Sequence, residues 1–216
     1  MAKLVWDAAG SHFYETGVSK GVLYPMSATA GTYGKGVAWN GLSSVTESPS
    51  GAEVSKVYAD NITFLQLLSA EDFEGTIEAY TYPDEFMACD GSQELADGVA
   101  IGQQTRQRFA ICYQTKIGTD LNPEAGYKIH IIYGCLAQPS ERAYSTVNDS
   151  PEAMTMSWSI SATPVEVSGF KPTAHIEIDS TKVDSTKLAS LEAKLYGGAS
   201  EEPTLLTPDE ILAIVK

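Results

Sequence analysis

Residues 144–164, YSTVNDSPEAMTMSWSISATP, contain the most regular strand pattern of the chain. Apolar side chains occupy every second position of its latter half: Met154, Met156, Trp158, Ile160 and Ala162. Hydroxyl side chains fill most of the positions between them, which is the period of a strand with one apolar and one polar face. The preceding run 148–151, NDSP, has turn chemistry because Asn and Asp bond their own backbone and Pro fixes φ. The stretch therefore predicts a strand in the middle of a sheet, with Trp158 as a core anchor.

Three further segments show similar alternation, namely 107–117, 127–136 and 173–179. The first two are separated by a short connection rich in Gly and polar residues, which predicts an antiparallel pair. Residues 62–68, ITFLQLL, are ambiguous, because their length favours a strand while their leucines allow a helix. The sequence predicts a mainly β fold, an antiparallel β-sandwich or barrel.

The period becomes helical only near the C-terminus. Asp184 is a predicted N-cap for a helix with a leucine stripe, and the Gly pair at 197–198 ends it. Further on, Thr207, Pro208 and Glu210 predict the start of a second, short helix. A helix of that length is unstable alone, so we expect it to dock either on its own domain or on a neighbouring subunit.

The predicted organisation has three parts. Residues 1–36 are expected to form an extended arm with one short strand at 21–24, residues 37–197 a β-sandwich domain, and residues 198–216 a tail with the short helix. The predicted core of the sandwich consists of the apolar positions of the strands and of the first helix. These are Phe109, Ile111, Ile129, Ile131, Met156, Trp158, Ile160, Ile176, Leu188 and Leu191.

The chain is acidic, with a formal net charge of −14 at pH 7. Between Asp60 and Thr105 there are ten acidic residues and no Lys or Arg. Phosphate binding requires clustered cations, so this composition argues against a protein that grips nucleic acid. The apolar runs are far shorter than the ~18 residues that a membrane helix needs, and the start, MAKLVWDAAG, lacks the features of a signal peptide. We expect no membrane association and folding in a cytosol.

Catalytic and metal-binding patterns are missing from the sequence. The three cysteines, Cys89, Cys112 and Cys135, form no Cys-x-x-Cys pair, and His12, His130 and His175 lie far apart. There is no Gly-x-Ser-x-Gly motif, and the acidic pairs do not follow a calcium-loop pattern. We therefore expect a protein that is not an enzyme, with no catalytic residues, no cofactor and no metal site.

Four blocks in the same order carry a family resemblance: WNGLSSVTESPSGAEVSKVYADNI (39–62), EAYTYPDEF (78–86), IGQQTR (101–106) and YSTVNDSPEAMTMSWSISATPV (144–165). Together they resemble the major tail proteins, or tail tube proteins, of long-tailed bacteriophages. The likeness extends from about Tyr14 to Tyr196, and it rests on the order of the blocks because no single motif has a mechanism attached.

The resemblance implies a structural virion protein. Members of this family stack as rings, usually of six subunits, into a tube around the tape measure protein, and the tube later conducts phage DNA during ejection. Their fold is similar to the β-sandwich of type VI secretion tube proteins, with a helix at its flank. The implied partners are other copies of the chain, the tape measure protein, the tail terminator and the distal tail proteins. The implied location is the virion tail, which is assembled in the host cytoplasm.

A predicted hairpin within residues 37–58 is the candidate contact surface. Segments 37–46 and 52–58 flank the turn-forming run SPSG at 48–51, and both are rich in small hydroxyl residues. We expect this hairpin to form the inner wall of the tube or the contact between rings, through Ser43, Thr46, Ser48, Ser50, Glu53 and Ser55. The alternative is a non-enzymatic β-sandwich module that binds a carbohydrate or protein ligand in adhesion, which would present clustered exposed aromatic residues.

Overall fold

A computed structural model describes residues 4–27, 31–147, 149–150 and 152–216. The strands are β1 (Phe13–Pro25), β2 (Val37–Trp39), β3 (Leu42–Glu47), β4 (Ser50–Gly51), β5 (Val54–Ala59), β6 (Ile62–Leu68), β7 (Glu71–Ala79), β8 (Gln93–Ala96), β9 (Val99–Ile101), β10 (Phe109–Thr119), β11 (Gly126–Ala137), β12 (Met156–Ala162) and β13 (His175–Asp179). A 3-10 turn at Asp84–Phe86 leads into α1 (Met87–Asp90), and the longer helices are α2 (Ser185–Tyr196) and α3 (Pro208–Val215). Two residues of the predicted NDSP turn, Asn148 and Pro151, lie outside the described residues.

Nine strands form one antiparallel sheet in the order β2-β1-β10-β11-β12-β7-β3, with β13 beside β11 and β4 beside β7. The predicted mainly β, antiparallel fold with a flanking helix and a short C-terminal helix is confirmed. Over the described residues the sheet stays open and does not close into a barrel. The predicted pairing of the segments 107–117 and 127–136 is the ladder between β10 and β11.

A bend at Gly134 in β11 divides the nine-stranded sheet into two facing parts. The first sheet contains β2, β1, β10, β11 and β13, and the second contains β12, β7, β3 and β4. The first half of β11 pairs with β13, and its last residues pair with β12. Gly134 has a φ of +60°, and an added Cβ would lie 2.6 Å from the carbonyl oxygen of Thr163, so only glycine fits. Its amide donates to the hydroxyl of Tyr33 at 2.8 Å, and its carbonyl accepts from Arg108 Nη1 at 2.9 Å. The bend is therefore held from both sides by side chains.

The first core lies between the two sheets and is centred on Trp158. Its ring packs edge-to-face against Phe86 and Tyr82, with ring centres 5.1 and 5.6 Å away. Trp158 Nε1 donates to Oδ1 of the buried Asp90 at 3.1 Å. Asp90 also forms an ion pair with Arg142, so the indole N–H of Trp158 and the carboxylate of Asp90 are both paired.

The second core lies between the outer face of the first sheet, formed by β1, β10, β11 and β13, and the helices α2 and α3. Asp184 caps α2 by accepting from two backbone amides, and Thr207 and Glu210 form a capping box at α3, both as predicted. Leu205, Leu206 and Ile211 are buried in the same cluster as the leucines of α2. The short C-terminal helix therefore docks on its own domain, which decides between the two possibilities left open by the sequence.

Nine of the ten residues expected in the core are buried: Phe109, Ile111, Ile129, Ile131, Met156, Trp158, Ile160, Leu188 and Leu191. The tenth, Ile176, is half-buried against the helices. Strand β12 begins at Met156, and Met154 precedes it with 40% of its surface exposed.

The N-terminal segment differs from the expected arm with one short strand. Its strand β1 has 13 residues and pairs with β10 along most of its length. Val22, Leu23 and Tyr24 are buried, with Leu23 in the first core and the other two in the second. The strand is longer than predicted because pairing with β10 continues through Phe13–Thr16, where β1 is exposed and its sequence has little hydrophobic periodicity.

Candidate assembly surface

One long β-hairpin spans residues 42–79 and extends from the second sheet. Strands β3, β4 and β5 form its outgoing side, and β6 and β7 return along them in antiparallel pairing. The hairpin turns at Asp60 and Asn61, which have φ values of +50° and +62°. Two consecutive left-handed residues form the tight hairpin turn whose twist matches that of the strands, and Asp and Asn tolerate this conformation.

The predicted hairpin turn at 48–51 is wrong. Ser48 donates its amide to the carbonyl of Glu74 at 2.8 Å, and Ala52 donates to that of Ala70 at 3.1 Å, so the chain continues along the same partner strand. Gly51 has a φ of +82°, and an added Cβ would lie 2.3 Å from the Ala70 carbonyl oxygen. The run SPSG therefore makes an irregularity within one side of the hairpin, and Gly51 allows the close approach of its partner strand.

The outer part of this hairpin, strands β5 and β6 over residues 54–68, is here called the arm. The ambiguous segment 62–68 is a strand within it. Every residue of the two strands is exposed except Ala59, which is half-buried. A two-stranded ribbon is at best marginally stable in water on its own, so the arm has the character of a surface that requires a partner.

The two faces of the arm differ in chemistry. Cross-strand partners share a face, and one face carries the pairs Val57–Leu65 and Ala59–Ile62, with Leu67 opposite Ser55. The exposed fractions are 40% for Val57, 37% for Leu65, 65% for Ile62 and 56% for Leu67. The other face is mixed, since Lys56 lies opposite Gln66 between the pairs Val54–Leu68 and Tyr58–Thr63. The arm thus presents one continuous apolar face to solvent.

A second surface lies on the outer side of β12, β7 and β3, opposite the first core. Ser157, Ser159 and Ser161 of β12 stand opposite Glu78, Thr76 and Glu74 of β7, which in turn adjoin Ser44 and Thr46 of β3. Ser44 Oγ donates to Glu78 Oε2 at 2.8 Å. These eight side chains are hydroxyls and carboxylates without any cation. We call this surface the hydroxyl–carboxylate face.

The six residues predicted for the interface or lumen are all exposed: Ser43, Thr46, Ser48, Ser50, Glu53 and Ser55. They follow one side of the long hairpin, from the hydroxyl–carboxylate face out to the arm. The sequence reasoning missed the apolar residues of β6. The available signal was the pair Asp60 and Asn61 between two strand-like runs, which marks a two-residue hairpin turn.

The thiols offer no reactive nucleophile at neutral pH. Cys89, Cys112 and Cys135 are all buried. Burial raises the pKa of Cys89 and of Cys112 to about 12, and it also raises the pKa of Cys135. Each thiol therefore stays protonated and serves as a small apolar core residue. No helix in the described part of the chain has the length and apolar character needed to cross a lipid bilayer.

Comparison with solved structures finds weak neighbours among contractile injection systems. A chain of the anti-feeding prophage baseplate matches over 81% of this chain and 97% of its own, with 8% identity and a TM-score of 0.38. A chain of the sheath–tube complex of an extracellular contractile injection system, in the extended state, matches over 74% and 88%, with 10% identity and a TM-score of 0.30. No protein-family model and no curated protein matches the sequence.

Proposed function

We propose that this chain is a non-enzymatic structural subunit that assembles with copies of itself into stacked rings, forming the tube of a phage tail. The observation that carries the proposal is the arm, whose apolar face is not covered by the described part of its own chain. An apolar surface of this size on a two-stranded ribbon is stabilised when another subunit covers it. The four sequence blocks that resemble major tail proteins support the tail assignment. The first block, residues 39–62, contains β3, β4 and β5, so the resemblance includes the outgoing side of the long hairpin.

A ring requires a contact between two different patches, because only a head-to-tail interface closes by rotation. The arm supplies one patch of such a contact. A sheet edge of the next subunit supplies the other, since β13 has its only described sheet partner in β11 and its second edge is available for pairing. In this proposal the arm of one subunit covers its apolar face against the sheet of its neighbour, and the ring closes with six copies.

The hydroxyl–carboxylate face is proposed to form the lumen wall. Its carboxylates, Glu74 and Glu78, repel the phosphates of DNA, and its hydroxyls keep the wall hydrated. At a Debye length of ~8 Å in physiological salt this repulsion acts only close to the wall, so DNA passes without adhering. The proposed partners within the tail are the tape measure protein, the tail terminator and the distal tail proteins, in a virion assembled in the host cytoplasm.

The alternative, an adhesion module, receives less support. A carbohydrate platform needs exposed aromatic rings clustered on one face, and Trp39 and Trp158 are both buried in the first core. Tyr58 and Phe64 are exposed, but they lie on the arm, among aliphatic side chains that the proposed subunit contact would cover. Trp6 is exposed, but it lies in the N-terminal segment before β1.

Assembly of the purified protein tests the proposal. Wild-type protein at increasing concentration is expected to form rings or tubes in negative-stain electron microscopy and to sediment as oligomers. Leu65→Asp places a charge in the apolar face of the arm and is expected to leave a folded monomer. Leu121→Asp is the matched control, because Leu121 is 71% exposed but lies in the loop after β10, and it is expected to assemble like wild type.

Circular dichroism and thermal unfolding of both variants separate loss of assembly from loss of folding. A Leu65→Asp protein that forms the same rings as wild type contradicts the role of the arm. Wild-type protein that stays monomeric at every concentration contradicts self-assembly itself.

A further inference from the structure

Three side chains from three strands meet at the open end of the first core, where β3 crosses the sheet of β11 and β13. They are Glu47 at the end of β3, His130 in β11 and His175 at the start of β13. Glu47 Oε1 lies 3.3 Å from His175 Nε2 and 3.7 Å from His130 Nδ1. The two ring nitrogens, His130 Nδ1 and His175 Nε2, are 3.4 Å apart.

These separations are close to those of a tetrahedral metal site, and only the 3.7 Å between Glu47 Oε1 and His130 Nδ1 is longer. Zinc binds imidazole nitrogen and carboxylate oxygen at about 2.0–2.2 Å. In a tetrahedron with bonds of that length, the ligand atoms lie about 3.3–3.5 Å from one another. Two imidazoles and one carboxylate are also a ligand set that divalent transition metals accept, with a fourth position left for water.

Hydrogen bonds around His130 direct its Nδ1 into the cluster, where it shares a hydrogen bond of 3.4 Å with His175 Nε2 that a bound ion would replace. Thr115 Oγ1 donates to Glu15 Oε2 at 3.3 Å, so the same hydroxyl accepts from His130 Nε2, 3.0 Å away. The proton of the neutral ring is therefore on Nε2, and the lone pair of Nδ1 points toward Glu47 and His175. A partner that fixes the tautomer of a ligand histidine is typical of metal sites.

Aromatic stacking and a second hydrogen bond hold the other groups in place. Tyr113 stacks on His130 with ring centres 4.8 Å apart, and Phe73 stacks on His175 at 5.6 Å. The Tyr113 hydroxyl donates to Glu47 Oε1. The three ligand groups are thus oriented before any ion binds, which reduces the entropic cost of binding.

The cluster is accessible to an ion from solution. A cavity of about 350 Å³ opens beside it and is lined by Glu47, Phe73 and His175, together with Glu71. The side chains of Glu47 and His175 retain 29% and 21% of their exposed surface, while His130 retains 8%. The carboxylate of Glu71 adds negative charge to the entrance, which favours a cation.

We propose that Glu47, His130 and His175 form a binding site for a divalent transition metal, with zinc as the best fit. A bound ion would connect β3 of the second sheet to β11 and β13 of the first, and so fix the base of the long hairpin relative to the rest of the subunit. The sequence predicts no metal site, because the three ligands are separated by more than forty residues at each step and follow no motif. The proposal does not depend on the tube function.

Metal binding by untagged, chelator-treated protein tests this site. Titration with Zn²⁺ in a calorimeter is expected to show one site per chain, and Co²⁺ is expected to give the visible absorption of a tetrahedral centre. Glu47→Gln and His175→Ala are each expected to weaken the Zn²⁺ affinity by at least about a hundredfold, since each removes a direct ligand. His12→Ala is the control, because His12 contacts Asp7 and Asp120 and none of the three proposed ligands. The Zn²⁺ binding curve of this variant should match that of wild type.

Thermal unfolding with and without Zn²⁺ gives a second readout. Zinc should raise the Tm of wild type and of His12→Ala, and leave that of Glu47→Gln and His175→Ala unchanged, because only a ligand of the folded state stabilises it. Glu47→Gln keeps the volume of the side chain and covers the case in which His175→Ala does not fold. The proposal is overturned if wild type binds no stoichiometric Zn²⁺, if both ligand variants bind as wild type does, or if His12→Ala alone abolishes binding. In those cases the cluster is a hydrogen-bonded network between the sheets.

Discussion

The long hairpin has a base, formed by β3 and β7, and the arm, formed by β5 and β6. The two parts follow one another along the same hairpin but have opposite surroundings. At the base, Ile77 and Ala79 of β7 are fully buried against Trp158 and Met156 of β12. In the arm, Leu67 and Leu68 belong to the same returning side of the hairpin and are 56% and 69% exposed. The strands of the arm are the more apolar of the two parts. Their exposure therefore reflects the lack of a covering layer within the described part of the chain, and not a more polar composition.

This difference separates two uses of apolar residues. Burial of a large side chain contributes about 1.5–3 kcal/mol to folding when the covering layer belongs to the same subunit. The same side chain contributes to association when the layer belongs to a neighbour. Substitutions at the base should therefore change the stability of the monomer, and substitutions in the arm should change assembly.

Asp90→Ala should give the largest loss of stability, because Asp90 lies in the first core, against which the base of the hairpin packs. Asp90 accepts from Trp158 Nε1 and pairs with Arg142 and Arg106, so its removal leaves the indole N–H and two partly buried cations without their acceptor. Breaking a buried ion pair by removing one partner costs about 4 kcal/mol. Urea denaturation of the monomer should show this loss. Asp72→Ala removes an exposed acid of β7 and should change the stability by less than about 0.5 kcal/mol. Equal losses in the two variants would contradict the comparison.

Ile77→Ala and Ile62→Ala form a matched pair, since they make the same substitution in the same hairpin. Ile77 is fully buried and Ile62 is 65% exposed. Removing three buried carbons and leaving a cavity costs about 3 kcal/mol at Ile77, while the exposed position should cost less than about 0.5 kcal/mol. Denaturation midpoints of the two monomeric variants measure the difference. A similar loss for Ile62→Ala would mean that the arm is packed against its own subunit.

The elements that pack in the two cores were more predictable than the arm. Strand β12 and the pairing of β10 with β11 follow from alternation, because a strand with one buried face imposes a two-residue period on its sequence. Helix α2 follows from its cap and leucine stripe. In these elements local propensity and burial agree, so the sequence pattern reports the structure directly.

The hairpin turn was not predictable from local signals alone. SPSG at 48–51 and the pair Asp60 and Asn61 both have turn chemistry, and only the pairing partner distinguishes them. Strands β6 and β7 together are long enough to pair with all of β3, β4 and β5, so the chain passes 48–51 without turning. Alternation also gives no information where no face is buried, which is why the segment 62–68 remained ambiguous.

The cluster of Glu47, His130 and His175 depends on topology and not on sequence spacing. His130 and His175 meet because β13 pairs with β11, and Glu47 reaches them because β3 lies in the facing sheet. A single sequence contains no direct record of such long-range pairing. Side chains that come together in this way are found only once the strand order is known.

Hydrogen exchange provides the finest test of the comparison, because it resolves the two parts of the hairpin in one molecule. In the monomer, the amides of β7 opposite β3 and β12 should exchange only through global unfolding, since they are in the centre of a packed sheet. Amides of β5 and β6 should exchange through local opening that costs only about 1 kcal/mol, because a two-stranded ribbon without a covering layer is marginally stable. In assembled rings the arm amides should become protected while those of β7 change little. Equal protection of the arm and of β7 in the monomer would show that the arm is stabilised by its own chain, and the assignment of its apolar face to a neighbouring subunit would then fail.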